Sequence, residues 1–270
     1  MSLKKSDHIG KLIEKCNNVN GSTKGINTSE DNVDDIASIS YFEVQPKFHL
    51  LEYTIGINLV HFKLNEKSEK TLVVIPGFSE SSTCWTIGRI NKYKGQIEAK
   101  GYSNIYIFDL KEIKDVEKLG QIYKFGQEFT NDVYNNIAKI IDKIIRALIL
   151  KNKTEKISVM GRSAGGGVTI FLYELDTVNY IDGLNLVCPG YDKTGIKETF
   201  LSKAKQNKLK VILSWSSKDE KIPYNPEGLR MTNKLRTLEE NFDYIEITNT
   251  KTTRPEENHR IHPEAVDALV

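Results

Sequence analysis

Long hydrophobic runs are missing from this chain of 270 residues. No stretch reaches the roughly 20 consecutive apolar residues that span a bilayer as a helix, so no transmembrane segment is expected. The first turns of sequence carry Lys4, Lys5, Lys11 and Lys15 but no continuous apolar core of the signal-peptide kind. A cytoplasmic location is the resulting expectation. Charge of one sign is scarce too: 38 basic residues are interspersed with 36 acidic ones, leaving a formal charge of +2. With no basic block to neutralise phosphates, nucleic acid is not an expected partner. Cysteine is sparse, and Cys16, Cys84 and Cys188 are odd in number, far apart and outside any Cys-x-x-Cys arrangement. Neither a disulfide framework nor a zinc or redox motif follows, and a reducing compartment fits best. No internal repeat is present.

Apolar residues at 39% and charged residues at 27% are the proportions of a folded globular protein. Residues 1–45 read as an appendage: a short helical pattern of Ile9, Leu12, Ile13 and Cys16, then a polar, flexible segment that is a candidate lid. Residues 46–270 read as one domain. Lys47 to Thr54 and Ile57 to Leu64 alternate like an antiparallel pair turning at Gly56. Buried-strand patterns follow at Thr71–Ile75, Asn104–Phe108, Lys156–Met160, Gly183–Val187, Val211–Trp215 and Tyr244–Thr248, separated by helical patterns. The clearest helix carries Ile137, Ile140, Ile141, Ile144, Ile145 and Leu148 on one face and Lys139, Asp142, Lys143 and Arg146 on the other. This alternation predicts an α/β fold with a mostly parallel sheet of about eight strands, covered by helices on both faces.

Gly161-Arg162-Ser163-Ala164-Gly165 stands where an apolar strand ends and the helical run Val168–Leu175 is about to begin. A serine on so sharp a turn is held in strained geometry, and its flanking positions must be small to clear neighbouring strands. Gly166 and Gly167 continue the small run into the helix, each at a cost of about 1 kcal/mol relative to alanine, which predicts close helix-to-sheet packing. Taken alone, such a turn is either a catalytic serine, a structural turn or a phosphate cradle. The phosphate alternative lacks both the P-loop ending and the G-x-G-x-x-G spacing. Arg162 reads as a partner in a structural ion pair, with contact to an anionic substrate as the alternative.

From about residue 70 to the C-terminus, these parts resemble the α/β-hydrolase superfamily, in particular its serine esterases and lipases. Leu72 to Phe78 is similar to the family's strand and oxyanion loop, with Pro76 where histidine is common. Ser216 to Pro223 is similar to its acid loop, and Asn258-His259-Arg260-Ile261 to its histidine loop, with Asn258 in place of the usual glycine. The resemblance implies a single-domain α/β-hydrolase fold and a catalytic trio of Ser163, Asp219 and His259. It also implies that the main-chain N–H groups of Phe78 and Ala164 hold the oxyanion. His262 and Glu220 are the fallback base and acid. Pro263 and the acids after it predict a helix that leaves His262 at its cap and His259 in the free loop. Trp85, Tyr191 and Tyr224 follow strands on the side of the expected site and are candidates for an aromatic acyl pocket. The implied activity is hydrolysis of a small-molecule ester or thioester through an acyl-enzyme, with no cofactor and no metal. The alternatives are an amide- or peptide-cleaving hydrolase and a non-catalytic binding protein of the same fold.

Overall fold

The apolar runs expected as buried strands all come to lie side by side in one sheet. The computed structural model describes residues 3–4, 38–44, 55–64, 70–77, 82–109, 131–152, 156–177, 179–190, 196–248 and 258–269. Within them the strands are β1 Leu3–Lys4, β2 Ser38–Val44, β3 Ile55–Lys63, β4 Lys70–Ile75, β5 Tyr102–Asp109, β6 Ile157–Arg162, β7 Ile181–Val187, β8 Lys210–Ser216 and β9 Phe242–Ile247. The helices are α1 Ser82–Ala99, α2 Asn131–Asn152, α3 Ala164–Leu175, α4 Glu198–Gln206, α5 Leu229–Leu235 and α6 Pro263–Asp267. The described strands form one nine-stranded sheet in the order β1-β2-β3-β5-β4-β6-β7-β8-β9. It is antiparallel from β1 to β5 through β2 and β3, and parallel from β5 through β4 to β9.

Chain direction explains where the helices go. From β4 the chain steps to β5 through α1, then returns past β4 to β6 through α2 and continues outward to β9. Parallel crossovers are right-handed, so steps in opposite directions place their helices on opposite faces. Accordingly α1 packs with α6, while α2 packs with α3 and α3 with α4. The chain's direction across the sheet reverses at β4, and open α/β sheets bind ligands beyond the carboxyl ends of the strands at such a reversal.

The apolar stripe of α2 meets the core as its spacing requires: Ile137, Ile140, Ile141, Ile144 and Ile145 are all at most 3% exposed. Each such burial stabilises the fold by roughly 1.5–3 kcal/mol. On the opposite face Arg146 Nε donates to Asp142 Oδ2 at 2.8 Å, one helical turn away.

One expectation is corrected. Gly56 is not a turn but lies within β3, opposite Glu43 of β2. The antiparallel partner of β3 is Ser38–Val44, and the sheet therefore begins before residue 46, inside the segment expected as an appendage. The physical reason is legible afterwards: Ile39, Tyr41, Phe42 and Val44 are β-branched or aromatic, and a glycine within a strand near the sheet's edge is tolerated. All of 47–54 lies outside the described residues, as do the helical pattern at residues 9–16 and the polar run that follows it.

Candidate active site

Ser163 leaves β6 and caps α3 with φ 54° and ψ −130°, a left-handed conformation that L-residues seldom adopt. Three main-chain bonds hold it there. Its N–H donates to Val187 O at 3.0 Å, and its carbonyl accepts from Gly166 N at 2.8 Å and Gly190 N at 2.7 Å. The hydroxyl makes no capping bond to the helix, although serine is a preferred cap. Small neighbours are obligatory. A Cβ on Gly161 would strike Thr169 Oγ1, and one on Gly165 would strike the carbonyls of Ile75 and Pro76. At Gly166 it would meet Pro189, and at Gly167 the carbonyl of Gly190. The glycine run thus brings α3 against the ends of β4 and β7.

The strain at Ser163 has a thermodynamic consequence. Ser163→Gly should raise the unfolding free energy by about 1 kcal/mol, because glycine adopts positive φ without penalty. Chemical denaturation measures it, and an unchanged or lower midpoint would show that no strain is stored there.

Asp219 lies on the loop after β8 and is 3% exposed. Its Oδ1 accepts the main-chain N–H groups of Lys221 at 2.9 Å and Ile222 at 3.0 Å. Those bonds fix the carboxylate so that Oδ2 meets His259 Nδ1 at 2.6 Å, in a buried contact spanning 40 residues of sequence. A carboxylate can only accept, so Nδ1 donates and Nε2 is left as the basic nitrogen of the ring. Burial holds the imidazole below its ordinary value of 6.5, outweighing the opposing pull of Asp219. The cations of Arg162 and Lys221 push in the same direction as burial.

The histidine loop is anchored residue by residue. Asn258 Nδ2 donates to Lys218 O at 3.1 Å, Arg162 Nη1 to His259 O at 2.6 Å, and the Arg260 guanidinium stacks 3.4 Å from the centre of the Trp85 ring. His262 is half-buried at the N-cap of α6, with Pro263 opening the helix. Glu220 is exposed. Of the two candidate pairs, the structure therefore brings together Asp219 and His259.

No family model matches the chain, and no curated protein matches it in sequence. Solved structures do match in three dimensions. A zinc-bound, cold-adapted esterase from an Arctic intertidal metagenomic library aligns over 99% of this chain and 97% of its own, at 12% identity and a TM-score of 0.53. An alpha-beta serine hydrolase homologue from Coxiella burnetii aligns over 77% and 86%, at 12% identity and a TM-score of 0.51. Dienelactone hydrolase from Anabaena variabilis aligns over 84% and 93%, at 14% identity and a TM-score of 0.50. The chain has the α/β-hydrolase fold.

In this α/β-hydrolase fold the remaining candidates are placed as follows. Ala164 is the first residue of α3 and 7% exposed, with its main chain beside Gly190. Phe78 and Tyr191 lie outside the described residues. Trp85, in the first turn of α1, is half-buried beneath Arg260. Tyr224 belongs to an aromatic group at the β8–β9 end, with ring centroids 6.0 Å from Trp215 and 5.4 Å from Tyr244.

Two residues beside the site make contacts that the sequence did not predict. Arg162 donates to the main-chain carbonyl of His259, and its charge interacts with Asp219 and Cys188. Cys188 follows β7 with φ 36° and is 1% exposed. Its place immediately after the strand between β6 and β8 is the one clue the sequence held. The ligand atoms of Cys188, Asp219 and His259 lie within 4.8 Å of one another, a donor set suited to a thiophilic divalent ion. Three observations oppose an ion there. Asp219 and His259 are already bonded to each other, burial pushes the thiol pKa well up, and the guanidinium of Arg162 faces the same set.

Proposed function

We propose that the protein is a serine hydrolase that cleaves carboxylic esters or thioesters through an acyl-enzyme. The observation that carries this reading is the buried 2.6 Å contact between Asp219 and His259, reached from the loops after β8 and β9. It accompanies a serine held at positive φ at the end of β6. Ser163 Oγ attacks the carbonyl carbon while His259 Nε2 takes its proton. Asp219 orients the ring and stabilises the imidazolium that forms. The N–H groups of Ala164 and Phe78 receive the oxyanion, aided by the positive end of the α3 dipole. His259 then returns the proton to the leaving alcohol or thiol. Water, deprotonated by the same histidine, releases the acid and regenerates the serine. These steps use only side chains and main-chain groups of this chain.

The test is a substrate panel of p-nitrophenyl esters, thioesters and anilides with acyl chains of increasing length. Esters and thioesters should turn over and anilides should lag. Anilides cleaved as fast as esters would move the assignment to an amidase, and no turnover of any substrate would leave a binding protein of the same fold. The pH dependence follows from the lowered imidazole pKa. Activity requires neutral His259, so kcat/KM should rise with pH through a midpoint below the ordinary 6.5. A midpoint clearly above that value would contradict the burial argument.

A further inference from the structure

We propose that Arg162 is a positioning residue for the base, fixing the main chain of His259 against the turn that carries Ser163. The inference rests on the hydrolase reading for its kinetic consequences but not for its electrostatic one. Arg162 is the last residue of β6, and Ser163 follows it directly. Its side chain is 8% exposed, and its Nη1 donates to the carbonyl of His259 at 2.6 Å in a bond that spans 97 residues of sequence. A buried charged donor on a carbonyl is among the stronger protein hydrogen bonds. Because β6 is an interior strand paired on both edges, the bond ties the base's backbone to the middle of the sheet. The other ties of the histidine loop lead elsewhere: Asn258 to the acid loop and Arg260 to α1. The bond from Arg162 joins the His259 backbone to the residue next to Ser163.

The same guanidinium acts through its charge. Four ionisable groups gather here from three strands: Arg162 at the end of β6, Cys188 after β7, and Asp219 and Lys221 after β8. Asp219 favours the imidazolium, while Arg162 and Lys221 oppose it. Lys221 is exposed and screened by water, whereas Arg162 is buried, where a charge acts more strongly. Its charge adds to burial in lowering the His259 pKa against the pull of Asp219. The cation therefore offsets part of the field of Asp219 in the resting site. In the transition state, geometry and the short Asp219 contact still favour the developing imidazolium.

The experiment compares Arg162→Met and Arg162→Gln, which lose the charge, with Arg162→Lys, which retains a donor. The imidazole of His259 is titrated by NMR in a Ser163→Ala background, with its resonance assigned by loss in His259→Gln. Removal of the charge should move the His259 titration to higher pH, and Arg162→Lys should lie between those variants and the parent. In the active background, kcat should fall by about 100-fold for Arg162→Met, the scale of a misplaced reacting group, with KM nearly unchanged because Arg162 is buried beneath the site. The acid limb of kcat/KM should move upward together with the NMR titration. If Arg162→Met does not fold, Arg162→Gln reads the same loss of charge. A folded, charge-deleted variant whose His259 titrates as in the parent and whose kcat is unchanged would overturn the proposal. If wild type shows no turnover, the hydrolase reading fails, yet the NMR titration still decides the electrostatic claim.

Discussion

Ser163→Ala should lower kcat for a short p-nitrophenyl ester by on the order of a million-fold, the scale seen when a triad nucleophile is removed. Its folding stability should stay within roughly 0.5 kcal/mol of wild type. The hydroxyl makes no capping bond to α3, so its loss removes no structural contact of that kind. Alanine shares serine's discomfort at φ 54°, so the strain is not relieved either. The alanine variant thus separates chemistry from folding, whereas Ser163→Gly should be as inactive but more stable. Stopped assays at high enzyme concentration and denaturant melts of all three proteins make the comparison. Equal turnover by wild type and Ser163→Ala would remove the serine from the mechanism.

His259→Ala should cost a similar factor and abolish the acid limb of the pH profile, because it deletes the group that accepts the serine proton. His262→Ala should remain active, since His262 lies at the start of α6 while Asp219 is bonded to the other ring. Asp219→Asn should lower kcat by about 10⁴-fold, because an amide can donate to Nδ1 and so favours the wrong tautomer. Two further contacts sharpen this expectation. Lys221 N and Ile222 N both donate to Asp219 Oδ1, so in the variant the amide oxygen accepts them and the NH₂ group faces the ring. Glu220→Gln should change little, as its side chain is exposed. Pre-steady-state rates for the four variants decide the assignment; a dead His262→Ala beside an active His259→Ala would reverse it.

The parallel half of the sheet was legible because its strands are buried on both faces, which leaves short apolar runs such as Leu72–Ile75 and Ile157–Met160 that no other element explains. The glycine-rich turn around Ser163 was legible for a related reason. Its glycines are imposed by backbone neighbours, the carbonyls of Ile75, Pro76 and Gly190 among them, so the constraint is written directly into residue type. Asp219 and His259 were expected from the resemblance of their loops to the family's acid and histidine loops, and each follows a strand that finishes at the same edge of the sheet. The antiparallel edge was misread because several segments there alternate equally well, and periodicity does not say which of them pairs with Ile55–Lys63. Contacts such as Arg162 to His259 O, Cys188 beside Asp219, and Arg260 over Trp85 join residues far apart in sequence. They follow no local period, so only the folded chain reveals them.

The central claim is that Ser163 is an activated nucleophile, and covalent labelling reads it without knowledge of the substrate. The folded protein is treated with a fluorophosphonate, digested, and the modified peptide sequenced by mass spectrometry. The expected result is a single adduct on Ser163, formed in wild type, lost on denaturation, and strongly slowed in His259→Ala. An unlabelled folded protein, or an adduct on another residue that persists in Ser163→Ala, would contradict it.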